Sequence, residues 1–309
     1  MTQSAPASGD AAGVLTFAGP KAPARDGILW MLGATFLFTC QDSTARILLV
    51  SYPATEIGFA RYFVHLVLVA GFLAWREPSS LASRRPGLQM LRSSFLLANT
   101  LFGFMALKIM PFLDFSAVAW VAPVLVTALS IVLLGEKVGL RGWLSVLIGF
   151  AGVWIIVAKG SLQVSPVTLF PLLAAFAGAL YQIATRKLHA ADSPLTTLLY
   201  TAIAGSFFCA LFLRVEGVAP KPADLALMTL LGGLGVASHF CMIRAFSTAP
   251  ANVIAPFGYT ALIWASLFSL VVFSEIPSLR TMIGAALIAA AGLSIFFGQQ
   301  PRRSAKQPA

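Results

Sequence analysis

The feature that most constrains this chain is its succession of apolar runs, each about as long as a bilayer is thick. A helix needs about 20 mostly apolar residues to cross the hydrocarbon core. Ten runs of that kind follow one another, at 28–50, 55–75, 92–110, 112–134, 142–158, 167–187, 195–213, 224–246, 252–273 and 280–298. Some links between them are only a few residues, such as "SYPAT" and "MPF". Links that short make neighbouring helices antiparallel and adjacent. Of the 309 residues, 58% are hydrophobic and 10% charged, against about 25% charged in soluble domains. The reading is an all-α integral membrane protein with ten transmembrane helices.

The net charge of +10 would suggest nucleic acid in a soluble protein. Here most of the cations fall in links, where they set orientation. With the N-terminus inside, thirteen Lys and Arg lie on the cytoplasmic side, Arg84, Arg85 and Arg92 among them, against Lys159, Arg214, Lys221 and Arg280 outside. Both termini are therefore expected in the cytoplasm. The tails, 1–26 and 299–309, read as a disordered segment and a basic one. The first has no basic start followed by an apolar stretch, so it is not read as a signal peptide.

The halves align at an offset of about 139 residues. "MPFLDFSAVAWVAPVLVTALSIVLLGEKVGLR" matches "APANVIAPFGYTALIWASLFSLVVFSEIPSLR", with Pro111 on Pro250, Glu136 on Glu275 and Arg141 on Arg280. "TARIL" likewise matches "ATRKL" at an offset of 140. Five passes per half is an odd number, so the second copy enters the membrane from the opposite side, as in many secondary transporters. The expected units are 27–160 and 161–298, as two inverted five-helix repeats. Pro123 and Pro256 fall at different repeat positions, so kinks made by them are expected to be asymmetric.

"GEKVGLRGWLSVLIGFAGVWIIVAKG" and "MIRAFSTAPANVIAPFGYTALIWASLFSLVVFSEIPSLRTMIGAALIAAAGLSIFF" resemble the ends of two EamA domains of the drug/metabolite transporter superfamily. The resemblance implies ten helices, inverted halves, a central substrate cavity and no ATPase. "FTCQDSTARILLVSYPATEIGFARYFVHL" is most similar to members that take up cofactor-type metabolites, riboflavin or S-adenosylmethionine. Exporters of amino acids or drugs share the fold and stand as the alternative.

An ionisable group at the centre of a membrane helix costs about 2.5–3.5 kcal/mol on insertion scales, so it faces the bundle interior and finds a partner. Gln41, Asp42 and Arg46 lie within the first run and Arg61 within the second. Asp42 and Arg46 are one helical turn apart, spaced for an ion pair within the helix, and Arg46 is also near enough to the surface to snorkel. The Asp42–Arg61 group reads either as a structural pair or as a charged cavity wall. Other polar or aromatic groups at depth are His65, Asn99, Thr100, Trp120, Tyr181, Gln182, His239, Tyr259 and Trp264. The expected substrate site comprises Gln41, Asp42, Arg61, Asn99, Trp120, Tyr181, Gln182, His239, Tyr259 and Trp264. An aromatic cavity with a few amides and charges suits a flat organic solute. Asp114, Glu136 and Glu275 sit at helix ends, where capping or loop pairing is expected.

No GxxxxGK[ST] phosphate loop, HExxH or GxSxG occurs, and Cys40, Cys209 and Cys241 match no metal or redox spacing. The expectation is a non-enzyme without cofactor, in the bacterial inner membrane, as monomer or homodimer. Uphill transport would then need a proton, with Asp42, His65 and His239 as titratable groups, or an exchanged solute.

Overall fold

A computed structural model describes residues 24–76, 78–135, 139–158, 169–188, 192–249 and 251–298. Among them the ordered elements are helices only: α1 (Ala24–Leu48), α2 (Ala54–Arg76), α3 (Pro86–Ile109), α4 (Phe112–Ala119), α5 (Ala122–Leu134), α6 (Leu140–Val157), α7 (Leu169–Leu188), α8 (Pro194–Glu216), α9 (Pro222–Thr248), α10 (Ala251–Gly258), α11 (Thr260–Val271) and α12 (Leu279–Gly298), with one short turn at Pro78–Leu81. Residues 1–23, the tail 299–309 and Glu136 lie outside the described residues, whereas Ala24, Arg25 and Asp26, expected in the disordered tail, form the first turn of α1.

Local chemistry sets several starts. Proline opens α3, α8 and α9, where its missing N–H is no loss. Ser193 caps α8 by accepting from the Thr196 N–H at 3.1 Å. Ser278 does the same for Thr281 at 3.1 Å ahead of α12. α3 begins six residues before the expected run, which places Arg92 inside a helix rather than in a cytoplasmic link.

Six stretches are long and apolar enough to cross a membrane: Ala54–Arg76, Pro86–Ile109, Phe112–Leu133, Leu140–Val157, Pro194–Val215 and Pro222–Thr248. α1 has 25 residues and carries the polar load that lowers its hydropathy. Large apolar side chains, Trp75, Leu147, Phe207 and Met282 among them, face outward. A soluble domain does not cover itself with apolar surface on this scale.

The packing repeats. α1 lies along α9 and α3 lies along α7, while α2 packs on α8 and α6 on α12. At an offset near 140, α1 corresponds to α7 and α3 to α9, so the first two contacts are one contact made twice. The other two join each helix to its own counterpart, as across a pseudo-two-fold axis. On that axis α6 and α12 touch backbone to backbone. A Cβ on Gly152 would lie 2.7 Å from the Gly284 carbonyl oxygen, and one on Gly284 as near to that of Gly152. The small-residue stretches "GFAGV" and "GAALIAAAG" therefore allow close approach.

The proline expectation is corrected. α4 breaks from α5 at Trp120–Val121, and α10 from α11 at Tyr259, which lies 139 residues after Trp120. Each break is a tighter turn, with the Val121 N–H on the Val118 carbonyl at 3.1 Å and the Tyr259 N–H on that of Pro256 at 3.2 Å. Pro123 lies just after its break and Pro256 just before its own. Each removes a backbone donor within one turn, so unmatched prolines give matched breaks.

Candidate functional site

The polar centre is built on the α1–α2 hairpin. Gln41 is 1% exposed and Arg61 9%. With its amide oxygen toward the guanidinium, the only orientation that avoids donors facing donors, Gln41 accepts from Arg61 Nε at 2.8 Å and from both terminal nitrogens at 3.1 Å. Arg61 Nη1 also reaches Thr100 Oγ1 at 3.4 Å, beyond the usual range. Thr100 is closer to the Tyr62 hydroxyl, at 2.7 Å. A guanidinium offers five donors, and here three of its nitrogens converge on one carbonyl oxygen.

Asp42 is half-buried and follows Gln41, the acceptor of Arg61, on α1. No hydrogen bond or ion pair joins them among the described residues. The expected Asp42–Arg46 pair does not form either. His65, one turn beyond Arg61, is 3% exposed and its Nε2 has no partner among the described residues. Its ring lies 6.0 Å from that of His239 on α9, whose Nδ1 meets the Gly235 carbonyl at 2.8 Å and whose ring has Phe38 edge-on at 5.1 Å.

An aromatic group forms at the two helix breaks. Trp120 and Tyr259 are in ring contact at 5.5 Å. Among the described residues the Tyr259 hydroxyl has no hydrogen-bond partner, and it occupies the space beside Gly292, where a Cβ would fall 1.4 Å from it. Trp264, further along α11, packs edge-on against Phe36 of α1 at 5.3 Å, and its indole N–H is also unpartnered among the described residues. Thr35 and Thr260 tie α1 to α11 at 3.0 Å. Thr35, Asp42 and Arg46 fall on one stripe of α1, the stripe that faces α11 and the Glu275 loop.

Three expected site residues lie elsewhere. Asn99 donates to the Ala174 carbonyl at 2.7 Å and packs on Gly178. Tyr181 accepts from Arg92 Nη2 at 2.7 Å. Both are engaged in α3–α7 packing, while Gln182 is exposed.

Arg92 was expected in a link and is instead 2% exposed. Its Nε donates to Thr185 Oγ1 at 2.8 Å and its Nη1 to the Thr197 carbonyl at 3.2 Å and Thr201 Oγ1 at 2.5 Å. Its guanidinium also lies over the Tyr181 ring at 4.4 Å. The one sequence signal was Pro86, a proline placed to begin a helix six residues upstream.

At one end of the bundle Glu275 joins three elements. It pairs with Arg46 of α1 through both oxygens, one at 2.9 Å, and accepts from the Phe112 N–H at the start of α4 at 2.9 Å. Partial burial pushes its carboxyl up. The hydrogen bonds from Arg46 and the Phe112 N–H and the charge of Arg46 outweigh that, so it titrates below the ordinary glutamate value. Glu275 thus fulfils both end-of-helix roles, capping and loop pairing. Asp114 accepts from Thr281 Oγ1 at 2.6 Å.

A bundle of long apolar helices, apolar outside and holding polar groups within, is a multi-pass membrane protein. The chain belongs to the EamA-like transporter family, whose model matches residues 25–158 and again 166–297. It is 25% identical to an S-adenosylmethionine uptake transporter of Rickettsia prowazekii, over 91% of this chain and 96% of that protein. It is 28% identical to a riboflavin transporter of Vibrio cholerae, over 85% and 90% respectively. A solved crystal structure, 21% identical, shares the fold with a TM-score of 0.63 over 88% of this chain and 96% of that one. The family is one of transporters, in line with the non-enzyme reading.

Proposed function

We propose that this chain is a secondary transporter that takes up a cofactor-type metabolite across the bacterial inner membrane by alternating access. It crosses the membrane ten times, with α4–α5 and α10–α11 each forming one broken pass and both termini in the cytoplasm. Residues 27–160 and 161–298 are inverted repeats that rock against each other. The observation that carries this reading is a set of interior polar groups left, among the described residues, short of partners: His65 Nε2, the Tyr259 hydroxyl and the Trp264 N–H. Polar groups this deep normally find partners, and a solute entering between the halves would supply them. The repeated packing and matched helix breaks suit two rocking units. Riboflavin suits the aromatic group, and S-adenosylmethionine is the second solute to which relatives point.

The test is uptake of labelled riboflavin and S-adenosylmethionine into proteoliposomes, with and without a pH gradient. Accumulation of either above its outside concentration supports the reading. A gradient requirement that Asp42→Asn abolishes would assign the proton to Asp42. Transport only outward, or of neither solute, rejects uptake of a cofactor-type metabolite.

A further inference from the structure

We infer that the polar centre on α1 and α2 recognises an α-amino-acid arm, with Arg61 taking the carboxylate and Asp42 the ammonium. The solute's flat portion would then lie toward the rings of Tyr259, Trp120 and Trp264. This deepens the uptake reading and rests on it for the direction of transport, not for what binds.

The argument begins with what each charge lacks. Arg61 sits where an unmet cation is costly, yet its Nε and both terminal nitrogens converge on the single Gln41 oxygen. That leaves N–H groups without acceptors, in the planar fork that fits a carboxylate bidentately. Asp42 follows Gln41 on the same turn of α1, and Gln41 holds Arg61, but among the described residues Asp42 and Arg61 form no ion pair. A cation and an anion held near each other and unpaired match a ligand carrying both charges in the opposite sense. An uncharged solute would leave both unmet. A solute with only an anion would satisfy Arg61 and bring a second negative charge beside Asp42.

The spacing suits a nucleoside-like body on such an arm. Asp42 and Thr35 share a face of α1 seven residues apart, about 10 Å along the axis. Thr35 is bonded to Thr260, the neighbour of Tyr259. The charged pair and the ring pair thus lie about one extended small molecule apart.

The test uses the full chain in proteoliposomes and reads competition against labelled S-adenosylmethionine. S-adenosylhomocysteine keeps the amino-acid arm and should compete within a few-fold of S-adenosylmethionine. Methylthioadenosine lacks the arm and decarboxylated S-adenosylmethionine lacks the carboxylate, and each should be at least tenfold weaker. Arg61→Gln should bring decarboxylated and intact S-adenosylmethionine to within about twofold. Asp42→Asn should do the same for the 2-oxo analogue, which lacks the ammonium. A structural role for either residue would weaken all competitors alike. Methylthioadenosine competing as well as S-adenosylhomocysteine overturns the inference, as does a preference that survives both substitutions. If S-adenosylmethionine is not carried, thermal stabilisation of the purified chain decides. Stabilisation by free amino acids but not by their amides upholds the arm site. Stabilisation by riboflavin alone, or by none of these compounds, overturns the arm site. Inward transport of riboflavin in that case leaves the uptake reading standing.

Discussion

Two buried arginines one helix apart have opposite surroundings. Arg92 on α3 meets two threonine hydroxyls, a backbone carbonyl and a tyrosine hydroxyl, drawn from α7 and α8. Arg61 on α2 meets one amide oxygen and a distant hydroxyl. Neither has a carboxylate within bonding distance among the described residues. A fully bonded guanidinium stitches helices together, since each charged hydrogen bond contributes about 1.5–3 kcal/mol. One left short contributes little to the fold and is available to a ligand. On the proposed reading the number of acceptors separates the roles, because burial is nearly the same for both.

The largest effect is expected at Arg92. Arg92→Ala removes one of the largest fully buried side chains and its bonds to α7 and α8. Thermal unfolding of the purified protein should register a loss of about 3 kcal/mol, as for other large-to-alanine changes in packed interiors. An unchanged melting temperature would dissolve the contrast, because the better-bonded arginine would then be idle.

Arg61→Gln should do the reverse. Deleting it relieves a burial cost of about 2.5–3.5 kcal/mol and removes few good bonds, so stability should shift by under about 1 kcal/mol while solute affinity falls at least tenfold. Melting and uptake measured on the same preparation sharpen the comparison. A large drop in melting temperature would make Arg61 structural like Arg92.

The sequence showed these two residues unequally, for a physical reason. Arg61 lies mid-run among apolar residues, where a charge stands out. Arg92 lies at the edge of a run, in "LQMLRSSF", where hydropathy cannot distinguish a link from a first helical turn. The helices themselves were legible because bilayer thickness fixes their length, and the burial of Gln41, Arg61 and His239 because a polar group within an apolar run turns to the interior. Trp120 and Tyr259 were legible by depth, but their meeting at paired breaks was not, since the prolines that accompany those breaks do not align. That Asn99 and Tyr181 bond across α3 and α7 was not legible, because periodicity in uniformly apolar helices does not assign faces. The partner of Arg46 was 229 residues away and had no local signal.

That third arginine is the intermediate case, with one carboxylate as its main partner, and the smallest effect is expected there. Arg46 and Glu275 are partly exposed, at 18% and 27% of their side chains, so solvent screens them more than the buried pair. Glu275→Gln should cost about 1 kcal/mol, near the upper end for exposed pairs, because it also weakens the acceptor for the Phe112 N–H. The pH dependence checks the cause. The Glu275 carboxyl is depressed in the folded protein, so its contribution is complete above the unfolded value of about 4.3 and is lost as pH falls through the folded value. The stability gap between the native chain and Glu275→Gln should therefore be constant from about pH 7 down to about pH 5 and close in more acid solution. A gap that persists at pH 3 would mean that shape at this end of the bundle, and not the charge on Glu275, holds α1 to the start of α4.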